Sequence, residues 1–222
     1  GHIHLQVADC HLRLNEIEPA RQELEKLKAS TADQETQAEG AFLSAEIQFF
    51  AGSFQEAQTA YQDVAENFTR TQKANDAVGR YLQIVKAMDQ GQVPALKMYA
   101  EMERLTRITD TTAVLGAAHG LQETWPATDF AAEALFREAE VLRSRGETAP
   151  VIALCERTVA EHPLARIAPH ALAFLGDLYL SDLGDKKLAL ETYERLLADY
   201  PENLLAAEVR RTVERLRKTS ES

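Results

Sequence analysis

The chain has 222 residues, of which 45% are hydrophobic, with 24 Lys and Arg against 35 Asp and Glu, a formal net charge of −11. That composition can bury a core and is not that of a disordered chain, and the length allows one large or two small domains. The charge, and the lack of a Lys/Arg stripe interleaved with aromatics, exclude nucleic acid as a partner class and disfavour anionic membrane surfaces.

Glycine (10) and proline (7) are scarce for this length, and Ala, Leu and Glu dominate, residues that lose little on entering a helix. No segment alternates like a strand and no Asn-Gly hairpin signal occurs. The chain is therefore expected to be all-α. In chain order, helices are expected over 2–14, 18–30, 34–51, 54–67, 71–90, 92–107, 109–124, 128–145, 148–161, 167–183, 186–199 and 203–218. No apolar run reaches the length of a membrane span, so no direct membrane insertion is expected. The chain opens at Gly1 without methionine. This reads as a processed or trimmed start, and the lack of a leader then says little. Cys10 and Cys155 lie far apart with no metal-type spacing and read as free thiols.

The helices are not independent of one another. A small residue sits mid-helix at Ala8, Ala45, Ala139 and Gly176. Twelve positions later come Ala20, Ala57 and Val151, and thirteen later in the last copy comes Ala189. Four further on stand Leu24, Tyr61, Cys155 and Tyr193, and eight beyond those Ala32, Thr69, Pro163 and Pro201. Small residues let two helices approach, the large residue plugs the gap, and proline ends the second helix. One such pair cannot bury its apolar face alone, so neighbouring pairs must stack.

The stretches "GAFLSAEIQFFAGSFQEAQTAYQDVAENF" (40–68), "AEALFREAEVLRSRGETAPVIALCERTVAEHP" (132–163) and "ALAFLGDLYL…ALETYERLLADYP" (171–201) resemble tetratricopeptide repeats. The resemblance implies a right-handed α-solenoid of stacked antiparallel helix pairs, one superhelical domain over 1–222. Within it 1–68 and 127–201 hold the clearer repeats, 69–126 is a degenerate middle and 202–222 a capping helix. In the middle, Ala95 and Tyr99 fit the second helix of a unit, but Gln83 stands where a small residue belongs. Either 109–124 is an unpaired helix or 92–124 is a degenerate unit. The last helix has an apolar side (Leu205, Val209, Val213, Leu216) and a charged one, which suits a cap.

The resemblance also implies a concave groove lined by the first helix of each pair. Carried onto this sequence, the groove positions include Asp9 and Arg13; Phe42, Glu46, Phe49 and Phe50; Phe136, Glu140 and Arg143; and Asp177. The residue after the small one is acidic in all four copies (Asp9, Glu46, Glu140, Asp177). Such a row attracts a basic or amphipathic peptide or helix and is the wrong charge for family members that grip a terminal carboxylate with Asn and Lys. Alternatively, these acids solvate a helix face. Phe42, Phe49 and Phe50 are either anchors for a partner or packing against the next repeat. His2, His4 and His11 beside Cys10 lack further ligands, so neither metal nor cofactor is expected.

No nucleophile–base pair or matched carboxylate pair appears. The expected function is a non-catalytic protein-interaction scaffold, with a repeat region serving a catalytic domain in a longer polypeptide as the alternative. Self-association through repeat ends is also expected. The "ADYPEN" ending (198–203) is similar to bacterial cell-envelope members of the family, the free thiols lean toward cytoplasm, and no compartment is assigned.

Overall fold

A computed structural model describes residues 1–30 and 32–220. The described residues form helices α1 (His2–Arg13), α2 (Ile17–Lys28), α3 (Gln34–Phe50), α4 (Phe54–Asn67), α5 (Gln72–Asp89), α6 (Val93–Arg107), α7 (Thr111–Thr124), α8 (Asp129–Ser144), α9 (Thr148–Glu161), α10 (Ala168–Asp177), α11 (Lys186–Asp199) and α12 (Ala206–Ser220), with no strand among them. The expected all-α architecture of adjacent helix pairs is what the chain adopts. It divides into two compact units, Gly1–Ala117 and Ala118–Ser222, the division falling within α7.

The turns follow from sequence at one repeated point. Asn15, Gly52, Gly146 and Gly184 all have positive φ, between 60 and 77°. Each lies seven residues past the small residue, or eight in the last copy. Only residues that tolerate the left-handed region close a helix this way, and asparagine is the best-suited side chain after glycine. Side chains cap several starts: Asp33 accepts from the Thr36 N–H, Asp185 from Leu188, Thr71 from Ala74 and Thr128 from Ala131.

The first unit packs α1 against α2, α2 against α3, and α3 against α4. Leu5, Ala8 and Leu12 of α1 join Ala20, Leu24 and Leu27 of α2 and Leu43 and Ile47 of α3 in one cluster. In the second unit, Leu135 and Ala139 of α8, Leu154, Cys155 and Val159 of α9, Leu172, Leu175 and Leu178, and Ala189, Tyr193 and Leu196 of α11 form the core. The apolar side of α12 (Val209, Val213, Leu216) completes it, as expected for a cap. Both thiols are free, Cys10 exposed and Cys155 buried; burial pushes the Cys155 thiol up to about 12.

The thirteen-residue spacing of the last repeat has a local cause. Leu178–Asp182 winds as a π-helical turn, and the Leu183 N–H bonds the Leu178 carbonyl five residues back. One extra residue is taken up there, so the expected single helix over 167–183 is a helix ending in a wider turn.

Gly176 is where the helices of this pair approach most closely. A Cβ there would lie 2.5 Å from Tyr193 Cε1, and Tyr193 is pinned by donating its hydroxyl to Asp177 at 2.5 Å. Gly176→Ala is therefore expected to destabilise by about 1–2 kcal/mol, an overpacking cost partly offset by the better helix former. Gly79→Ala in α5, with nothing within 4 Å of its added carbon, is expected to stabilise by about 0.5–1 kcal/mol. Urea midpoints of the two variants check this, and equal shifts would contradict it.

Candidate partner-binding face

In the first unit the groove side of the first helices already holds a helix. The α6 segment is not the second half of a hairpin with α5. It lies against both α3 and α5, and its last turn reaches α1, where Arg107 pairs with Asp9 at 2.8 Å and Arg104 donates to Asn15 at 2.9 Å. Leu96, Tyr99, Ala100 and Met102 are all buried. This placement replaces the hairpin role that Ala95 and Tyr99 suggest in sequence.

Beneath α6 sits a cluster of rings and charges. Phe49 is fully buried. It lies 5.6 Å from Phe54, 6.5 Å from Tyr61 and 6.3 Å from Tyr99 between ring centroids. The Arg80 guanidinium stacks 4.9 Å above Phe49. It donates to Glu46 and Glu103 at 3.1 Å each, and to Gln83 and the Tyr99 hydroxyl at 3.2 Å each. Burial opposes its charge, yet the nearby Glu46 and Glu103 carboxylates, with Tyr99, outweigh that and hold it firmly protonated. Glu46 also accepts a short hydrogen bond from the Tyr61 hydroxyl.

The four acids of the row are each answered from within the chain. Asp9 takes Arg13 and Arg107, both at 2.8 Å; partial burial works against its charge, but these hydrogen bonds win and keep its carboxyl below the usual range. Glu46 takes Arg80 and Tyr61, Glu140 takes Arg137 at 2.5 Å, and Asp177 takes the Tyr193 hydroxyl. The pairing of the acid with a tyrosine of the second helix occurs twice, fifteen residues on in one copy and sixteen in the copy with the extra residue. Arg80 and Arg107 carried no comparable repeat signal, and the register at Tyr99 pointed to a hairpin partner rather than to Phe49.

The other expected residues differ in exposure. Phe42 is half-buried, 5.4 Å from Tyr61 with the Lys73 ammonium 5.0 Å over its ring. Phe50 is half-buried against Phe49 at 6.0 Å. Arg13 is exposed.

In the second unit the same helix positions lie open. Phe136 of α8 and Phe174 of α10 are half-buried and meet edge to face at 5.3 Å. Arg143 covers the Phe174 ring at 4.6 Å and binds Asp182 through two hydrogen bonds of 2.8 and 2.9 Å. Burial works slightly against Arg143, but its hydrogen bond to Asp182 is the larger effect and raises its pKa, while it lowers that of Asp182. Asp177 is exposed beside them. The arrangement brings together two half-buried rings, a guanidinium fork held by Asp182, and the carboxylates of Glu140 and Asp177. Among the described residues no group of three His, Cys, Asp or Glu side chains is placed to hold a metal.

Residues 175–203, which cover α11, match the family described as Tetratricopeptide repeat. The chain carries a tetratricopeptide repeat. No curated protein matches it at a significant level. Among solved structures, the tetratricopeptide domain of P58(IPK) aligns with 100% of this chain at 15% identity and a TM-score of 0.43. This chain spans 57% of that one. TTC0263, a thermophilic tetratricopeptide protein of Thermus thermophilus, aligns over 97% of both chains at 17% identity and a TM-score of 0.40. Tyr193, Leu196 and the Tyr200–Pro201 ending lie inside the matched tetratricopeptide segment.

Proposed function

We propose that the chain is a non-catalytic scaffold that binds a peptide or helix of another protein through the open first-helix face of its second unit. The observation that carries this reading is α6. In the first unit a helix with an apolar side and two terminal arginines crosses α3 and α5 and reaches α1. The same helix positions in the second unit present Phe136, Arg143, Glu140 and Asp177, with Phe174 one position off the register, half-buried or exposed. A partner segment with an aromatic or aliphatic anchor over Phe136 and Phe174, and a basic residue toward Glu140 and Asp177, fits this face.

The test compares capture from native lysate by the unmodified chain and by Phe174→Ala, with unchanged far-ultraviolet circular dichroism as the condition. Removing an anchor ring is expected to reduce recovery of the specific partner about tenfold or more. A partner recovered equally by both would sink the assignment of this face.

A further inference from the structure

The second helices of the first unit leave a hollow between them. It has a volume of about 430 Å³ and is lined by α2, α3 and α4. Leu24 and Leu27 of α2, Ala41 of α3, and Val64 and Phe68 of α4 make it mostly apolar. The uncharged polar groups that reach it are already committed to backbone carbonyls. Gln37 donates to those of Leu27 and Ser30 at 3.0 and 3.1 Å, Ser44 to that of Gly40 at 3.1 Å, and Asn67 to that of Asp63 at 2.9 Å. Three charged side chains line the rim, Glu25, Lys28 and Asp63. All three are exposed, and none has an ion-pair partner among the described residues.

The second unit closes the same place in two ways. Residues 17–68 correspond to 148–200 with the repeat positions in step: Ala20 to Val151, Ala45 to Gly176 and Ala57 to Ala189. Ala41 and Ser44 then stand where the second unit has Leu172 and Leu175, both fully buried in the core with Cys155, Val159 and Leu196. In α8, too, the position of Ala41 carries a buried leucine, Leu135. At the rim, Glu25 corresponds to Glu156 and Asp63 to Arg195. Arg195 donates to Glu156 at 2.7 Å and so ties α11 to α9. The first unit therefore lacks both the leucines that fill this place and the guanidinium that bridges it. It sets two carboxylates where the second unit has a carboxylate and a cation.

We propose that the hollow binds a small hydrophobic amine. The apolar body of the ligand lies over Ala41 and Ser44, in the volume that Leu172 and Leu175 take in the second unit. Its ammonium or guanidinium is held by Glu25 and Asp63, in the role that Arg195 plays toward Glu156. Two features select this ligand. A hollow of this volume, apolar with a few polar groups at its edge, has the character of a small-molecule pocket. Two rim carboxylates against the single ammonium of Lys28 leave the mouth net negative, which favours a cation and disfavours an acid of the same shape. The hollow shares no residue with the Phe136–Phe174 face, so loss of either site leaves the other intact.

Phenethylamine, tryptamine and hexylamine, titrated into the full chain, are the probes. Their neutral analogues phenethyl alcohol, tryptophol and hexanol are the controls. Methyl resonances of Leu24, Leu27, Ala41 and Val64 are expected to shift saturably with at least one amine, at a Kd of about 1 mM or below. Each amine that binds is expected to do so about tenfold more tightly than its neutral analogue. Asp63→Arg, which copies the ion pair of the second unit, weakens the amine about tenfold or more. Ala41→Leu, which copies its filling, abolishes binding of amine and neutral analogue alike. Asp63 is exposed, so its variant tests the site even where Ala41→Leu disturbs the fold. Failure of all three amines to shift these methyls, amines bound no more tightly than their neutral analogues, or binding indifferent to Asp63→Arg with unchanged helicity overturns the proposal.

Discussion

Arg80→Leu is expected to cost about 3–5 kcal/mol, the penalty for removing one partner from a buried ionic cluster. Arg80 is the point where three helices are tied: Glu46 on α3, Gln83 on its own α5, and Tyr99 and Glu103 on α6. The carboxyl side chains of Glu46 and Glu103 are only 5% and 14% exposed, so water cannot replace the lost guanidinium. Arg80→Lys keeps the charge but not the planar fork that reaches four acceptors, and is expected to recover only part of the loss. Chemical denaturation measures both. A loss under about 1 kcal/mol for Arg80→Leu would mean that α6 is held by its apolar contacts alone.

Phe49→Ala is expected to be equally severe, about 3–5 kcal/mol, because it opens a cavity that stiff neighbours cannot close. Phe50, Phe54, Tyr61 and Tyr99 all contact the ring, and Arg80 caps it. The adjacent Phe50→Ala serves as the comparison. That ring is half-buried and touches Phe49 at its edge, so its loss is expected to cost less than half as much. The two variants differ by one position on the same helix, and equal midpoints in urea would contradict the placement of α6 over Phe49.

Much of this fold is legible in the sequence because it is local. The small residue, the left-handed turn seven later and the proline that ends the second helix (Pro163, Pro201) each act within a few residues of themselves. The position of α6 is not local. Leu96 and Met102 say only that the helix is amphipathic, which names no neighbour, and the register of Ala95 and Tyr99 names the wrong one. Whether Tyr99 meets its own hairpin or Phe49 of another one is decided by tertiary packing. The acidic row shows the same limit: Asp9, Glu46, Glu140 and Asp177 are regular in sequence, but the arginines and tyrosines that answer them come partly from distant helices. The candidate face itself was half visible. Phe136, Glu140, Arg143 and Asp177 follow from the register, while Phe174 and Asp182, which fix the arginine, lie one position outside it or in the widened turn.

That widened turn at Leu178–Asp182 bears on how a chain of this kind changes length over time. An inserted residue in an ordinary helix rotates everything after it by about 100°, swinging apolar side chains toward water. Here the extra residue is absorbed within one turn, and Gly184 still closes the hairpin in left-handed geometry, with Ala189 and Tyr193 still inward. Insertions at the end of a first helix are thus nearly silent to the core, and they lengthen the rim beside Arg143 and Asp182. Lineages descended from one repeat array can diversify their recognition edge there without renegotiating the packing beneath it.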